Sequence, residues 1–540
     1  MKRIILIIIA IPLLFQISFG QKSIKDQGFE KITESLISAQ LEFLSSDWTQ
    51  GRELGTAGAY MSADYIASMF KTFGLEPGGD ITRKSNQRRS RFAPPPKPRK
   101  KTYFQNFNLL EYRSSDVQKV SIVSKSEGAL SEIVLDQGAD FSVIAGTRAI
   151  SIESDLVFVG YGLNNVYYND FEDIDVRNKV IVRLVGFPGH RNPDSELHKK
   201  FGSDRTSAYY KDISAAEAGA AAVIEIRSTG SSFRATPKNV PIRYNEANWE
   251  GTEPFRNSPR KRFTQPDNIS SGLTKITVAD HVLSILMNGV DFELEEFENT
   301  AEKNQKPNSR PLKGKMIKVE TSVESQIIQA RNVVGVLEGK NKDTCIVIGA
   351  HYDHLGQIRN FIYNGADDNA SGTVGIMTIA KSMVETGIIP EYTLVFCAWT
   401  GEEKGLIGSR YFANNPIINN IKCYMNYDMI SRTAPDDPDK NKCDFQFTNT
   451  VPILREITEN HINDYKVNLD IKYNGSPKPR GGSDFRSFSA KDIPIFLFHG
   501  KFTPDYHQYT DHSDKAELTY MRDIIRMGYL NIFELSTKTW

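Results

Sequence analysis

Histidine and acidic residues recur at particular points in the C-terminal half of the chain. His351-Tyr352-Asp353-His354 follows the apolar run Thr344–Ala350, and Asp367-Asp368-Asn369 precedes an apolar helical pattern. Glu402-Glu403 follows the run Thr393–Trp399, Asp428 follows Lys422–Asn426, and His499 and then His507 follow Pro494–Phe498. Each has an ordinary explanation when taken alone. An acidic pair suits the positive end of a helix dipole, and Asp-Asp-Asn can cap a helix. As a set they ask for more, because carboxylates gathered in one place repel one another unless cations neutralise them. Mixed imidazole and carboxylate donors suit Zn²⁺ over Mg²⁺ or Ca²⁺.

These residues need elements that bring them to one place. Asn332–Leu337 and the four runs above alternate with helical stretches such as Gly372–Val384 and Leu406–Phe412. Continuous apolar strands alternating with helices predict an α/β fold whose mostly parallel sheet is covered on both faces. Ligands in such sheets bind beyond the carboxyl ends of the strands, and each of those four runs delivers a His or carboxylate to that edge. Upstream, Ile32, Leu36, Ile37, Leu41 and Leu44 predict one amphipathic helix, and Met61, Tyr65, Met69 and Phe73 predict a second that Gly74 ends. Between about 117 and 310 the texture changes to short β runs, with a small-residue helix, Ser214 to Ala221, leading into Ala222–Ile226. That segment reads as a separate, strand-rich domain inserted between 21–116 and 311–540.

Composition excludes several classes of protein. The 540 residues carry 66 basic and 66 acidic side chains, so no net field draws in nucleic acid or an anionic membrane. The length fits a multidomain globular protein. Residues 1–20, with Lys2-Arg3 before the apolar run Ile4–Phe15 and small residues at Ser18-Phe19-Gly20, read as a secretory signal peptide rather than a spanning helix. From Arg83 to Lys101 there are nine basic residues, no acidic ones and the run Pro94-Pro95-Pro96-Lys97-Pro98, which predicts a solvated loop. Cys345, Cys397 and Cys423 fall in apolar strands and Cys443 in a polar stretch; a Cys423–Cys443 disulfide stays open.

In order, His-x-Asp, Gly365-Ala366-Asp367-Asp368-Asn369-Ala370-Ser371-Gly372, Gly401-Glu402-Glu403-Lys404-Gly405-Leu406-Ile407-Gly408-Ser409, Asp428 and Tyr506-His507 resemble the co-catalytic zinc aminopeptidases. That family also includes glutamate carboxypeptidase II, the transferrin receptor and glutaminyl cyclases. Val159-Gly160-Tyr161-Gly162, Lys179–Val182 and Ala218–Ile224 make the inserted segment similar to a protease-associated domain. The resemblance implies a three-layer α/β/α zinc-exopeptidase domain holding two Zn²⁺ ions and acting on peptide or protein substrates. It makes Asp368 the carboxylate bridging both ions, with His351 and Asp428 on one and Glu403 and His507 on the other. It also implies a cis Asp368–Asn369 peptide bond. Asp353 is expected to accept the second ring N–H of His351. Glu402 is expected to be the general base that takes a proton from the attacking water and delivers it to the leaving amine.

The chain departs from the family on the substrate side. Ser483-Asp484-Phe485-Arg486-Ser487-Phe488 replaces the usual Ser-Asp-His-x-x-Phe and stands closer to the carboxypeptidase branch. Between Gly500 and Tyr506, however, the only basic residue is Lys501, with no Arg pair to hold an acidic C-terminal residue. The expectation is an exported aminopeptidase. A carboxypeptidase, a glutaminyl cyclase and a catalytically dead receptor-like protein are the alternatives within the fold. A serine hydrolase is disfavoured because neither Ser371 nor Ser409 sits in Gly-x-Ser-x-Gly.

Overall fold

The computed structural model describes residues 22–81, 100–126, 129–137, 139–201, 208–229, 232–235, 261–266, 273–304, 306–358 and 360–540. The expected signal segment and nearly all of the basic stretch lie outside these residues. The chain forms two compact units. One contains residues up to 105 with 332–402 and 406–540; the other contains 106–331 with the short turn 403–405.

The first unit is built from helices α1 (Glu34–Leu44), α2 (Ala57–Phe73), α3 (Gly372–Glu385), α4 (Ile407–Asn414), α5 (Ile453–Tyr465) and α6 (Leu518–Thr537). Its strands are the C-terminal end of β1 (Arg310–Leu337), then β2 (Asn341–His351), β3 (Tyr392–Trp399), β4 (Asn420–Tyr427), β5 (Lys442–Thr448), β6 (Asp470–Ser476) and β7 (Ile495–His499). Across the sheet the order is β1-β3-β2-β4-β7-β5-β6. The central strands β3, β2, β4 and β7 are mutually parallel, whereas β1 and β5 join them antiparallel. The α/β class and mostly parallel sheet agree with the sequence expectation.

Side chains alternate across the strands, as the pleat requires. Ile346, Ile348, Leu394 and Phe396 pack beneath Leu41, Ile66, Phe70, Ile376, Met377 and Ile524 on one face. Val347, Val395, Cys397 and Trp399 meet Phe412 and Phe488 on the other. Burial on both faces explains why these strands read as unbroken apolar runs. The helix ends follow local chemistry. Thr33 and Thr56 accept the N–H groups of Leu36 and Ala59 at the starts of α1 and α2, and Gly74 ends α2 in the left-handed region at φ 96°.

In the second unit, Ser151–Phe158, Val180–Leu184, Ala222–Thr229 and Thr274–Val278 pair in parallel, and Phe141–Ile144 adds antiparallel to the last of them. The helix leading into Ala222 runs earlier than its composition suggested, from Ala208 to Glu217, and Gly219 at φ 86° turns the chain into the strand. Its core includes Phe158, Val182, Ile224, Ile276 and Phe297. The buried Asp170 carboxylate accepts the N–H groups of Tyr161 and Leu163, each at 3.0 Å, and so fixes the Gly160–Gly162 turn.

All four cysteines are free, so Cys423 and Cys443 form no disulfide. Cys443, in its polar stretch of sequence, is buried in β5. Burial pushes its thiol pKa up to about 12.

Candidate metal centre

The four parallel strands end together. His351 closes β2 in register with Trp399 of β3, Gly349 pairs with Asn426, and Tyr427 pairs with Phe498. The residues that follow each strand are therefore delivered to one edge. Three buried tethers set their mutual positions. Asn369 donates to the carbonyl of Tyr427 at 2.9 Å while its Oδ1 accepts the N–H groups of Gly372 and Met429. Ser371 accepts the N–H of Ile430 at 3.0 Å. Thr373 donates to the carbonyl of His351 at 2.8 Å. Together they lock the loop bearing Asp368 to the ends of β2 and β4. The Asp368–Asn369 peptide bond is cis.

At this edge His351 Nε2 lies 3.5 Å from Asp368 Oδ1 and 3.5 Å from Asp428 Oδ1. The other oxygen of Asp368 lies 3.0 Å from His507 Nε2 and 3.9 Å from His354 Nδ1. Donors on a tetrahedral Zn²⁺ with bonds of about 2.0–2.1 Å stand about 3.3 Å apart, whereas a charge-assisted N–H···O bond closes to about 2.7–2.9 Å. The His351 distances match the metal spacing. His351, Glu402 and Asp428 offer donor atoms all within 4.8 Å of one another, and so do His354, Asp368 and Glu403. The structure thus gathers all five expected ligands and Glu402. It also adds His354, fully buried, which the sequence left without a role although it stands in the same tetrapeptide as His351.

The charge balance is that of a site made for cations. Burial opposes ionisation of His351, yet Glu402, Asp428 and Asp368 around it hold its imidazole well above the usual range. Burial likewise opposes the charge on Asp428, but the facing His351 keeps that carboxyl below its ordinary value. Asp484, buried near the same group, is pushed up to about 7, chiefly by burial.

The expectation for Asp353 is refined. The ring Nδ1 of His351 meets the backbone carbonyl of Asp353 at 3.1 Å, and its carboxylate only at 3.9 Å. That carboxylate instead accepts the N–H of Glu402 at 3.1 Å, so Asp353 orients both neighbours. Asp367 faces away from the ligand set: its Oδ1 accepts the N–H and the hydroxyl of Ser431 at 2.9 and 2.8 Å. Asp511, which sequence reasoning missed, accepts the N–H groups of both Asp367 and Asp368. Its only signal was an acidic residue shortly after His507.

Residues 332–529 match the profile of Peptidase family M28. The leucine aminopeptidase 2 of Trichophyton rubrum is 35% identical over 102 residues, covering 18% of this chain and 19% of that one. The leupeptin-inactivating enzyme 1 of Streptomyces exfoliatus is 28% identical over 173 residues, 31% of this chain and 36% of that one. A glutamate carboxypeptidase 2 homolog of Caenorhabditis elegans is 29% identical over 233 residues, 36% and 28% of the two chains. The chain therefore matches about a fifth to a third of the length of these curated relatives. Among solved structures, the aminopeptidase from Aneurinibacillus sp. strain AM-1 shares the fold with a TM-score of 0.56 at 17% identity, over 95% of this chain and 97% of that one. The matched segment holds every residue of the strand-end cluster, from His351 to His507, so it is in the part of the chain that carries this cluster that the chain is similar to peptidase family M28.

Proposed function

We propose that this protein is an exported zinc-dependent exopeptidase that removes N-terminal residues from peptides, with two Zn²⁺ ions at the strand-end cluster. The observation that carries the reading is the position of Asp368, whose two oxygens face different imidazoles, His351 and His507. A carboxylate so placed suits a bridge between two ions. His351, Asp428 and Asp368 would hold one ion; Asp368, Glu403 and His507 would hold the other, with His354 beside them. Zinc there would supply Lewis acidity to the scissile carbonyl and lower the pKa of a water ligand. Glu402 is the general base: its carboxylate takes a proton from the attacking water and passes it to the leaving amine. Asp353 holds Glu402 through its N–H and steadies His351.

The aminopeptidase reading is supported by the leucine aminopeptidase among the relatives and by Lys501. Its ammonium pairs with Asp444, which leaves it poorly suited to anchoring a substrate carboxylate. Segment 117–310 is proposed as a protease-associated domain on its Val159–Gly162, Lys179–Val182 and Ala218–Ile224 landmarks. Export rests on the composition of residues 1–20; among the described residues no helix is long and apolar enough to cross a membrane.

Peptides blocked at either end, incubated with and without a chelator, test the function. Cleavage that requires a free N-terminus and stops on metal removal is the expected result. Cleavage of N-blocked peptides alone would favour the carboxypeptidase alternative and overturn this one.

A further inference from the structure

Outside the matched segment, the N-terminal turn Asp47–Arg52 carries a fully buried arginine. A buried guanidinium is costly unless the groups around it take up its protons. Arg52 donates to four backbone carbonyls: Nε to Tyr352 at 2.7 Å, Nη1 to Leu44 and to Asn364 at 2.6 Å each, and Nη2 to Gly365 at 2.9 Å. Tyr352 immediately follows His351, and Asn364-Gly365 opens the loop that carries Asp368. One rigid, planar donor set therefore spans the two loops on which His351 and Asp368 ride, and ties both to the end of α1.

The surrounding contacts reinforce this link. The carbonyl of Arg52 accepts the N–H of His354 at 3.4 Å, and Asp47 accepts from the Asn364 amide at 2.8 Å. Gly51, at φ 67°, lies so close that a Cβ there would stand 2.5 Å from the carbonyl oxygens of both Gly356 and Tyr363. The turn thus fits the metal-bearing loops without slack. Because these four bonds go to backbone carbonyls, what they fix is the path of those loops.

We infer that Arg52 is a positioning residue of the metal centre, and that the N-terminal segment completes the site by holding the His351 and Asp368 loops in register. The inference rests on the metal-dependent function proposed above. Lysine cannot reproduce it, since a single ammonium lacks the forked donor geometry.

The test uses the full-length protein, stripped with a chelator and reloaded with cobalt(II), in wild type, Arg52→Met and Arg52→Lys. Circular dichroism reports folding, and the cobalt visible bands report ligand geometry. The expected result is a folded Arg52→Met protein with altered cobalt bands, metal affinity at least tenfold weaker, and kcat down at least tenfold while KM stays within twofold. Arg52→Lys should recover only part of this. A folded Arg52→Met with the wild-type spectrum and affinity, or full recovery by lysine, would overturn the inference. If neither variant folds, hydrogen exchange on the wild type decides. Metal removal should speed exchange across residues 44–53 together with 351–356 and 364–370, and unchanged exchange in 44–53 would overturn it. Wild type that binds no metal defeats the proposed function and this inference with it, whereas metal-binding wild type beside an indifferent Arg52→Met defeats this inference alone.

Discussion

At the scale of single residues, the carboxylates at the strand ends divide into those that face the imidazoles and those that build the frame. Glu402 lies among the possible donors but is assigned the proton-transfer role. Changing Glu402→Gln should leave metal content intact and lower turnover by about 10²–10⁴-fold; metal analysis beside a peptidase assay checks both halves, and lost metal would reassign it as a ligand. Asp367 belongs to the frame. Asp367→Ala leaves the buried N–H and hydroxyl of Ser431 without their acceptor and should cost about 2–4 kcal/mol of stability, measured by denaturant unfolding. The sequence exposed the ligand set because metal chemistry restricts donors to few residue types and the motifs keep them in a recognisable order. It hid Asp353's use of its carbonyl, the Asp511 clamp and Arg52, since those roles depend on backbone groups brought together only by folding.

The elements were legible wherever burial was two-sided. β2, β3, β4 and β7 announce themselves as apolar runs because helices cover both faces, and α1 and α2 carry clear apolar stripes. The antiparallel margin was not foreseen. β5 and β6 mix polar and apolar residues, and α6 is buried around much of its circumference, which blurs its period. Close packing of α6 on the sheet gives a prediction at this scale. A Cβ at Gly528 would come 1.8 Å from the Tyr427 hydroxyl, which is already engaged with the Ile524 carbonyl at 2.9 Å. Gly528→Ala should therefore destabilise by about 1–3 kcal/mol through overpacking, despite the roughly 1 kcal/mol that alanine gains in helix propensity. A thermal melt that rises instead would show that the β4–α6 contact yields without cost.

For the molecule as a whole, a formal charge of zero says little about a chain that places a cluster of carboxylates at one sheet edge and nine basic residues in the 83–101 stretch. Cysteine usage is informative. All four thiols are buried, and none serves a disulfide or the ligand set. A colourimetric thiol reagent should react with none of them in the native protein and with all four after denaturation, and reducing agent should leave activity unchanged. The strand-end cluster is proposed to be a two-zinc peptidase centre bridged by Asp368. Zinc counted per chain in wild type and in Asp368→Ala, alongside turnover of a peptide with a free N-terminus, tests it most directly. Two ions in active wild type are the expected result, with metal and activity lost together in Asp368→Ala. Full turnover by protein stripped of metal would contradict it.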